Sequence, residues 1–132
     1  MPAWMSDLTS DGFLGGRLRI AQPRGGFRSG ADAVMLAAAC PAQAGQAVLE
    51  LGCGAGVALL CLGARVPGLD LTGLELQEPY AALARDNAAA NGIAASVLTG
   101  DLARMPGPLR GQGFDHVIAN PPYFDAGTPA PD

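Results

Sequence analysis

The chain is 132 residues long, 49% hydrophobic, with a formal net charge of −4. That length fits one domain at the small end for an α/β fold, and the acidic balance argues against a strongly basic nucleic-acid binder. No apolar run approaches the ~18 residues of a membrane span, and the N-terminus lacks the basic and apolar regions of a signal peptide.

Three cysteines, Cys40, Cys53 and Cys61, are odd in number and lack metal-ligand spacing. They read as reduced thiols of a cytoplasmic protein, with Cys40 and Cys61 as small core residues. Every basic residue is an arginine, and Arg17, Arg19, Arg24 and Arg28 fall together with no acid between Asp11 and Asp32. Two readings stay open for that cluster: a solvated hairpin face, or a phosphate-contacting patch on an otherwise acidic body.

Residues 1–12 show no usable periodicity and are expected to form a flexible lead-in. Residues 13–45 read as a small N-terminal unit. Phe13 to Ile20 alternates loosely around Gly15-Gly16, predicting a short hairpin or edge strand. A glycine-rich loop, Gln22 to Gly30, leads into a short helix over Ala31 to Cys40, with Ser29 or Asp32 available as cap. Residues 46–125 then read as an α/β core. Strands are predicted over Gln46–Leu51, Leu69–Leu76, Ala94–Thr99 and Phe114–Ala119, with helices over Ala55–Val66 and Glu78–Asn91. Asn91-Gly92 is a left-handed helix stop, and a Pro- and Gly-rich connector, Met105 to Gly113, stands where a third core helix is expected. Residues 126–132 are expected to be a disordered tail.

Between the first core strand and its helix lies Val48-Leu49-Glu50-Leu51-Gly52-Cys53-Gly54-Ala55-Gly56. Such glycines let the backbone turn tightly and let a ligand approach it, while the helix N-terminus behind them offers backbone N–H groups. A dinucleotide fingerprint is Gly-x-Gly-x-x-Gly, but here the glycines fall at 52, 54 and 56 and position 57 is Val. Glu50, two residues before the turn, suits a cationic amino group and would repel pyrophosphate. NAD(P) binding and a purely structural turn remain open at this point.

Three acids recur at strand ends: Glu50, Glu75 and Asp101. In an open α/β sheet the ligand sits beyond the carboxyl ends of the strands. Glu75 lies about 20 residues past the glycine turn, where an acid accepts ribose hydroxyl hydrogen bonds. Asp101 is placed to accept from an adenine amino group. Acids are also common at strand ends simply because those ends meet solvent.

The fourth core strand stops at Asn120-Pro121-Pro122-Tyr123. The prolines could serve only as breakers. The arrangement also suits methylation of an sp² amino nitrogen, whose lone pair is delocalised. Accepting its two N–H groups on the Asn120 side-chain oxygen and the Pro121 carbonyl favours positive charge building on nitrogen. Tyr123 offers a face for stacking a base.

Together, Val48–Gly56, Glu75, Asp101 and Asn120–Tyr123 resemble the class I S-adenosylmethionine (SAM) methyltransferases of the amino-nitrogen type. The run from Gln22-Pro23 through Phe27 to Leu36 is similar to the segment before the glycine motif in the bacterial family that methylates adenine N6 in valine tRNA. The resemblance extends from about residue 13 to about 125. It implies a Rossmann-like α/β sheet and SAM as cofactor. Gly52, Cys53, Gly54 and Gly56 would line SAM, with Glu50 facing its methionine amine. Glu75 would face the ribose and Asp101 the adenine, Leu76 and Leu102 would also bind the cofactor, and Arg28 and Asp32 would close the methionine end. Asn120, Pro121, Pro122 and Tyr123 would be the catalytic set, acting on tRNA or another nucleic acid.

Such domains have seven strands in the order 3-2-1-4-5-7-6. The chain is therefore expected to hold a sheet truncated after its fourth parallel strand, whose apolar edge predicts pairing with a second copy. Glutamine N5 methylation in proteins, guanine N2 methylation, or a truncated SAM-binding module without turnover are the alternatives the resemblance leaves.

Overall fold

A computed structural model describes residues 3–120. Pro121, Pro122 and Tyr123 lie outside the described residues, as does the expected tail. The described chain begins with a 3-10 turn, Ala3–Ser6, followed by β1 (Leu8–Phe13), β2 (Leu18–Pro23) and α1 (Ala31–Ala39). The core follows as β3 (Ala47–Leu51), α2 (Val57–Arg65), β4 (Asp70–Glu75), α3 (Glu78–Ala90), β5 (Ser96–Thr99) and β6 (His116–Ala119), with a second 3-10 turn, Gly107–Leu109, before β6.

Four of these strands form a parallel sheet in the order β5-β4-β3-β6, which is the expected 3-2-1-4. The central strand β3 is covered on both faces. Val48 is 0% exposed and packs in the large cluster with Leu59, Leu62 and Ile20, whereas its neighbour Leu49 packs with Leu74 and Leu109. Adjacent strand residues point to opposite faces, so these are two separate half-cores. Helices and the hairpin cover the first. The proline- and glycine-rich connector covers the second, with Leu109 buried and Met105 and Phe114 packed beside it. Helix α2 is apolar all round, Val57 to Leu62 being buried without a break, as expected of a helix sandwiched between sheet and hairpin.

The N-terminus departs from expectation. Residues 8–12 are not a frayed lead-in: with Phe13 they make β1, antiparallel to β2 with Leu8 opposite Pro23 and Phe13 opposite Leu18. The sequence Leu-Thr-Ser-Asp-Gly-Phe hides the strand because its exposure alternates only between intermediate and exposed. It is held by the backbone ladder rather than by an apolar face.

The far side of β2 would be a bare edge, and two asparagines of α3 close it. Asn87 is 3% exposed; its Oδ1 accepts the Ala21 N–H at 2.9 Å and its Nδ2 donates to the Ala21 carbonyl at 3.0 Å and the Ala55 carbonyl at 2.9 Å. Asn91, at the C-cap one turn later, repeats the pattern on Arg19, at 3.0 and 2.8 Å. The helical spacing of four thus matches the strand spacing of two. Asn87→Ala leaves three backbone groups without that partner and should cost about 2–4 kcal/mol in urea unfolding; a loss under ~0.5 kcal/mol would contradict this role.

Candidate active site

The parallel register brings the carboxyl ends of the core strands to one edge. Leu51 sits opposite both Leu74 and Ala119, and Glu75 opposite Thr99. The Gly100-Asp101 step, Glu75, the glycine turn and Asn120 therefore follow one another along that edge.

The turn itself is tightly tied. The N–H groups of Gly52 and Cys53 both donate to the Leu74 carbonyl, at 2.7 and 3.1 Å. Gly52 and Gly54 have φ of 70° and 56°, and a Cβ added at either meets nothing within 4 Å. This is the left-handed backbone that a side chain disfavours, with open space beside it. Gly54 and Gly56 are both buried, but Gly56 differs in capping α2 at φ 96° and lying close to Ala84 of α3. Its position is one of packing and helix initiation.

Glu75 reaches back to this turn. Its Oε1 accepts the Gly54 N–H at 2.8 Å and its Oε2 the Gln77 N–H at 2.9 Å, so one carboxylate braces both loops. Glu50 lies below the turn, 2% exposed, with Oε1 accepting the Leu59 N–H at 3.1 Å. It thereby caps the first turn of α2 from within the sheet. Burial, only partly offset by that N–H and reinforced by the Glu75 charge, pushes the Glu50 carboxyl up to about 8. Asp101 is exposed, its Oδ1 accepting the Ala103 N–H at 2.9 Å. Leu76 and Leu102, next to the two acids, are 63% and 57% exposed.

Two expected site residues have side chains engaged within the protein. Cys53 is 4% exposed and its side chain packs with Ala81, Ala84 and Val97, so only its backbone belongs to the turn. Burial, with the Glu50 and Glu75 charges adding to it, pushes its thiol far up, leaving it protonated. Arg28, expected near the cofactor's methionine end, is tied to the hairpin. It binds Asp11 at 2.8 Å, Thr9 Oγ1 at 2.7 Å and the Pro23 carbonyl at 3.2 Å. Burial pushes the Asp11 carboxyl up, but bonds from Thr9, Gln22 and Arg28 outweigh it and hold the group below the usual range.

Acids also lie against the arginine cluster, from β1 and from the residue just before it. Asp7 pairs with Arg24 at 3.2 Å and Asp11 with Arg28. Arg17 and Arg19 donate to the Ala64 and Ser10 carbonyls, and no ion pair among the described residues involves them. Sequence reasoning also missed Gln22, 2% exposed, whose amide holds both the N–H and the carbonyl of Ser29 and so fixes the loop before α1. A buried glutamine beside a proline carries no local signal of that task.

Asp32 and Asn120 are brought together across 88 positions. Asn120 Nδ2 donates to Asp32 Oδ2 at 2.8 Å. That bond comes first in holding the Asp32 carboxyl below the usual range; burial opposes it, and the Gly30 and Ala33 N–H groups assist it. A cavity of about 380 Å³ lies apart from all of this, between α1 and β6, lined in part by Leu36, Ala39, His116 and Val117. None of the expected site residues lines it.

A four-stranded parallel sheet of this order, with a glycine turn after its first strand and acids after the next two, is the Rossmann-like sheet of the methyltransferases. The methyltransferase small domain family model matches residues 28–130, and the chain belongs to that family. It is 32% identical over 125 residues to the tRNA1(Val) (adenine(37)-N6)-methyltransferase of Klebsiella pneumoniae, covering 92% of this chain and 51% of that protein. Among solved structures it is similar to TrmN from Thermus thermophilus, with TM-score 0.60, 28% identity, and coverage of 68% of this chain and 27% of that one. It is likewise similar to a SAM-dependent methyltransferase from Thiobacillus denitrificans in complex with S-adenosyl-L-homocysteine, with TM-score 0.57, 28% identity, and coverage of 69% and 36%. The chain spans about half the length of the curated relatives it matches.

Proposed function

We propose that the chain binds SAM at the glycine turn and transfers its methyl group to an exocyclic amino nitrogen, adenine N6 of a tRNA. The observation that carries this reading is the register, which sets Asn120 beside the glycine turn on one sheet edge. The residues there suit the cofactor. Gly52 leaves backbone exposed and Gly54 has room beside its Cα, Glu75 and Asp101 offer carboxylates to hydroxyl and amino donors, and Leu76 and Leu102 offer apolar surface for a base. Bound SAM supplies a methyl group on a sulfonium. The chain's own residues would bind, orient and hold charge. Ionised Glu50 would face the ammonium, and Glu75 would accept from the ribose while bracing the turn. Asn120 Oδ1 would accept one N–H of the target amine, with the Pro121 carbonyl taking the other by the logic of the motif and Tyr123 stacking on the base. Such acceptors favour the positive charge that builds on nitrogen as it takes the methyl group and releases a proton to water.

The names of the relatives support tRNA as the substrate class. Arg17 and Arg19, whose charge no acid offsets among the described ion pairs, are the phosphate contacts we infer. The three buried free thiols fit a cytoplasmic setting. Asn120→Ala should lower kcat for methyl transfer to tRNA by about 100-fold or more while SAM affinity stays within about twofold. Equal losses in SAM affinity would move Asn120 out of the amine role.

We also infer that a second copy pairs on β6. Among the described residues its outer side is unpaired, and Val117 is 56% exposed. Light scattering should report a dimer that Val117→Arg dissociates; a monomeric parent chain contradicts edge pairing.

A further inference from the structure

The bond between Asn120 and Asp32 raises a question of direction. An asparagine amide presents a donor on one side and an acceptor on the other, and rotation by half a turn exchanges them. An incoming amine has only N–H groups to offer Asn120, so the amide must present Oδ1. The wrong orientation would set donor against donor.

We propose that Asp32 is a positioning residue, whose carboxylate holds the Asn120 amide with Nδ2 turned away and Oδ1 turned toward the target amine. This rests on the methyl-transfer reading above. A carboxylate only accepts, so its contact with Nδ2 at 2.8 Å determines which end of the amide is left free. Asp32 is itself fixed. Its Oδ1 takes the Gly30 N–H at 3.2 Å, at the start of α1. That helix is seated through buried Ala33 and Ala37, and Arg65 of α2 binds the Ala37 and Cys40 carbonyls at its far end, at 3.0 and 2.6 Å. The bonds that hold the Asp32 carboxyl below its usual range keep it an acceptor throughout neutral pH. The first turn of α1 would then serve the reacting amine through Asn120, not the cofactor directly.

The two roles for Asp32 separate in the 132-residue chain. With Asp32→Ala, S-adenosylhomocysteine should bind within about twofold of the parent while kcat on tRNA falls at least about tenfold. Asp32→Asn should recover part of kcat, because its carbonyl oxygen can still accept from Nδ2. In ¹⁵N–¹H spectra, the Asn120 side-chain amide signals should move in both variants while the backbone pattern of the core is kept. Unchanged kcat, or weakened S-adenosylhomocysteine binding without a fall in kcat, would overturn the proposal and return Asp32 to the cofactor. A parent chain that transfers no methyl group would sink the methyl-transfer reading instead. The Asn120 amide signals then decide the contact alone: moved by Asp32→Asn they support it, unmoved they overturn it.

Discussion

Glu50→Gln is expected to stabilise the fold at about pH 9 by several kcal/mol and to leave it nearly unchanged at about pH 4. The buried carboxyl is raised from 4.5 to about 8 in the folded chain. Between those values the unfolded chain has released this proton and the folded chain has not, so stability falls as pH rises through the window and is lowest above about 8. A displacement of that size corresponds to on the order of 5 kcal/mol. Glutamine cannot ionise, yet its amide oxygen can still accept the Leu59 N–H. The difference between the two proteins, read from urea unfolding at both pH values, isolates this group because every other titration is shared. Parallel stability curves would contradict the account. The same substitution removes the carboxylate proposed to meet the ammonium. Affinity for SAM should therefore fall in the variant, while in the parent it should rise with pH up to about 8.

Glu75→Ala is expected to weaken SAM and S-adenosylhomocysteine binding by about 100-fold or more. Two losses combine. The proposed acceptor for the ribose hydroxyls disappears, and so does the brace between Gly54 and Gln77 that shapes the turn. Glutamine is no conservative replacement here, since its NH2 would face one of two backbone N–H donors. Unchanged affinity would remove Glu75 from the cofactor site.

The sheet was legible because parallel strands buried on both faces leave continuous apolar runs, and because the glycine turn and the acids Glu50, Glu75 and Asp101 mark where those runs end. The strand order followed from the resemblance, and the register confirms it. What local pattern could not show is pairing across long separations. Strand β1 is polar and became visible only through its ladder with β2. Asn87, Asn91 and Gln22 look like ordinary polar residues of a helix end or a loop; their partners lie 66, 72 and 7 positions away. Arg24 and Arg28 read as free charge until Asp7 and Asp11 were laid beside them. Cys53 sat inside the motif, yet its side chain turned to the core because Gly73 of β4 leaves room for its sulfur: a Cβ on Gly73 would lie 2.8 Å from Cys53 Sγ. Asp32 and Asn120 were both expected at the site. Their direct bond was not, since one was assigned to the cofactor and the other to the amine.

The most direct test of the central claim is calorimetry of SAM and S-adenosylhomocysteine on the 132-residue chain, with NAD as control. The account predicts dissociation constants on the order of micromolar for both and no heat from NAD. A folded chain that binds neither, or that binds NAD instead, would contradict it.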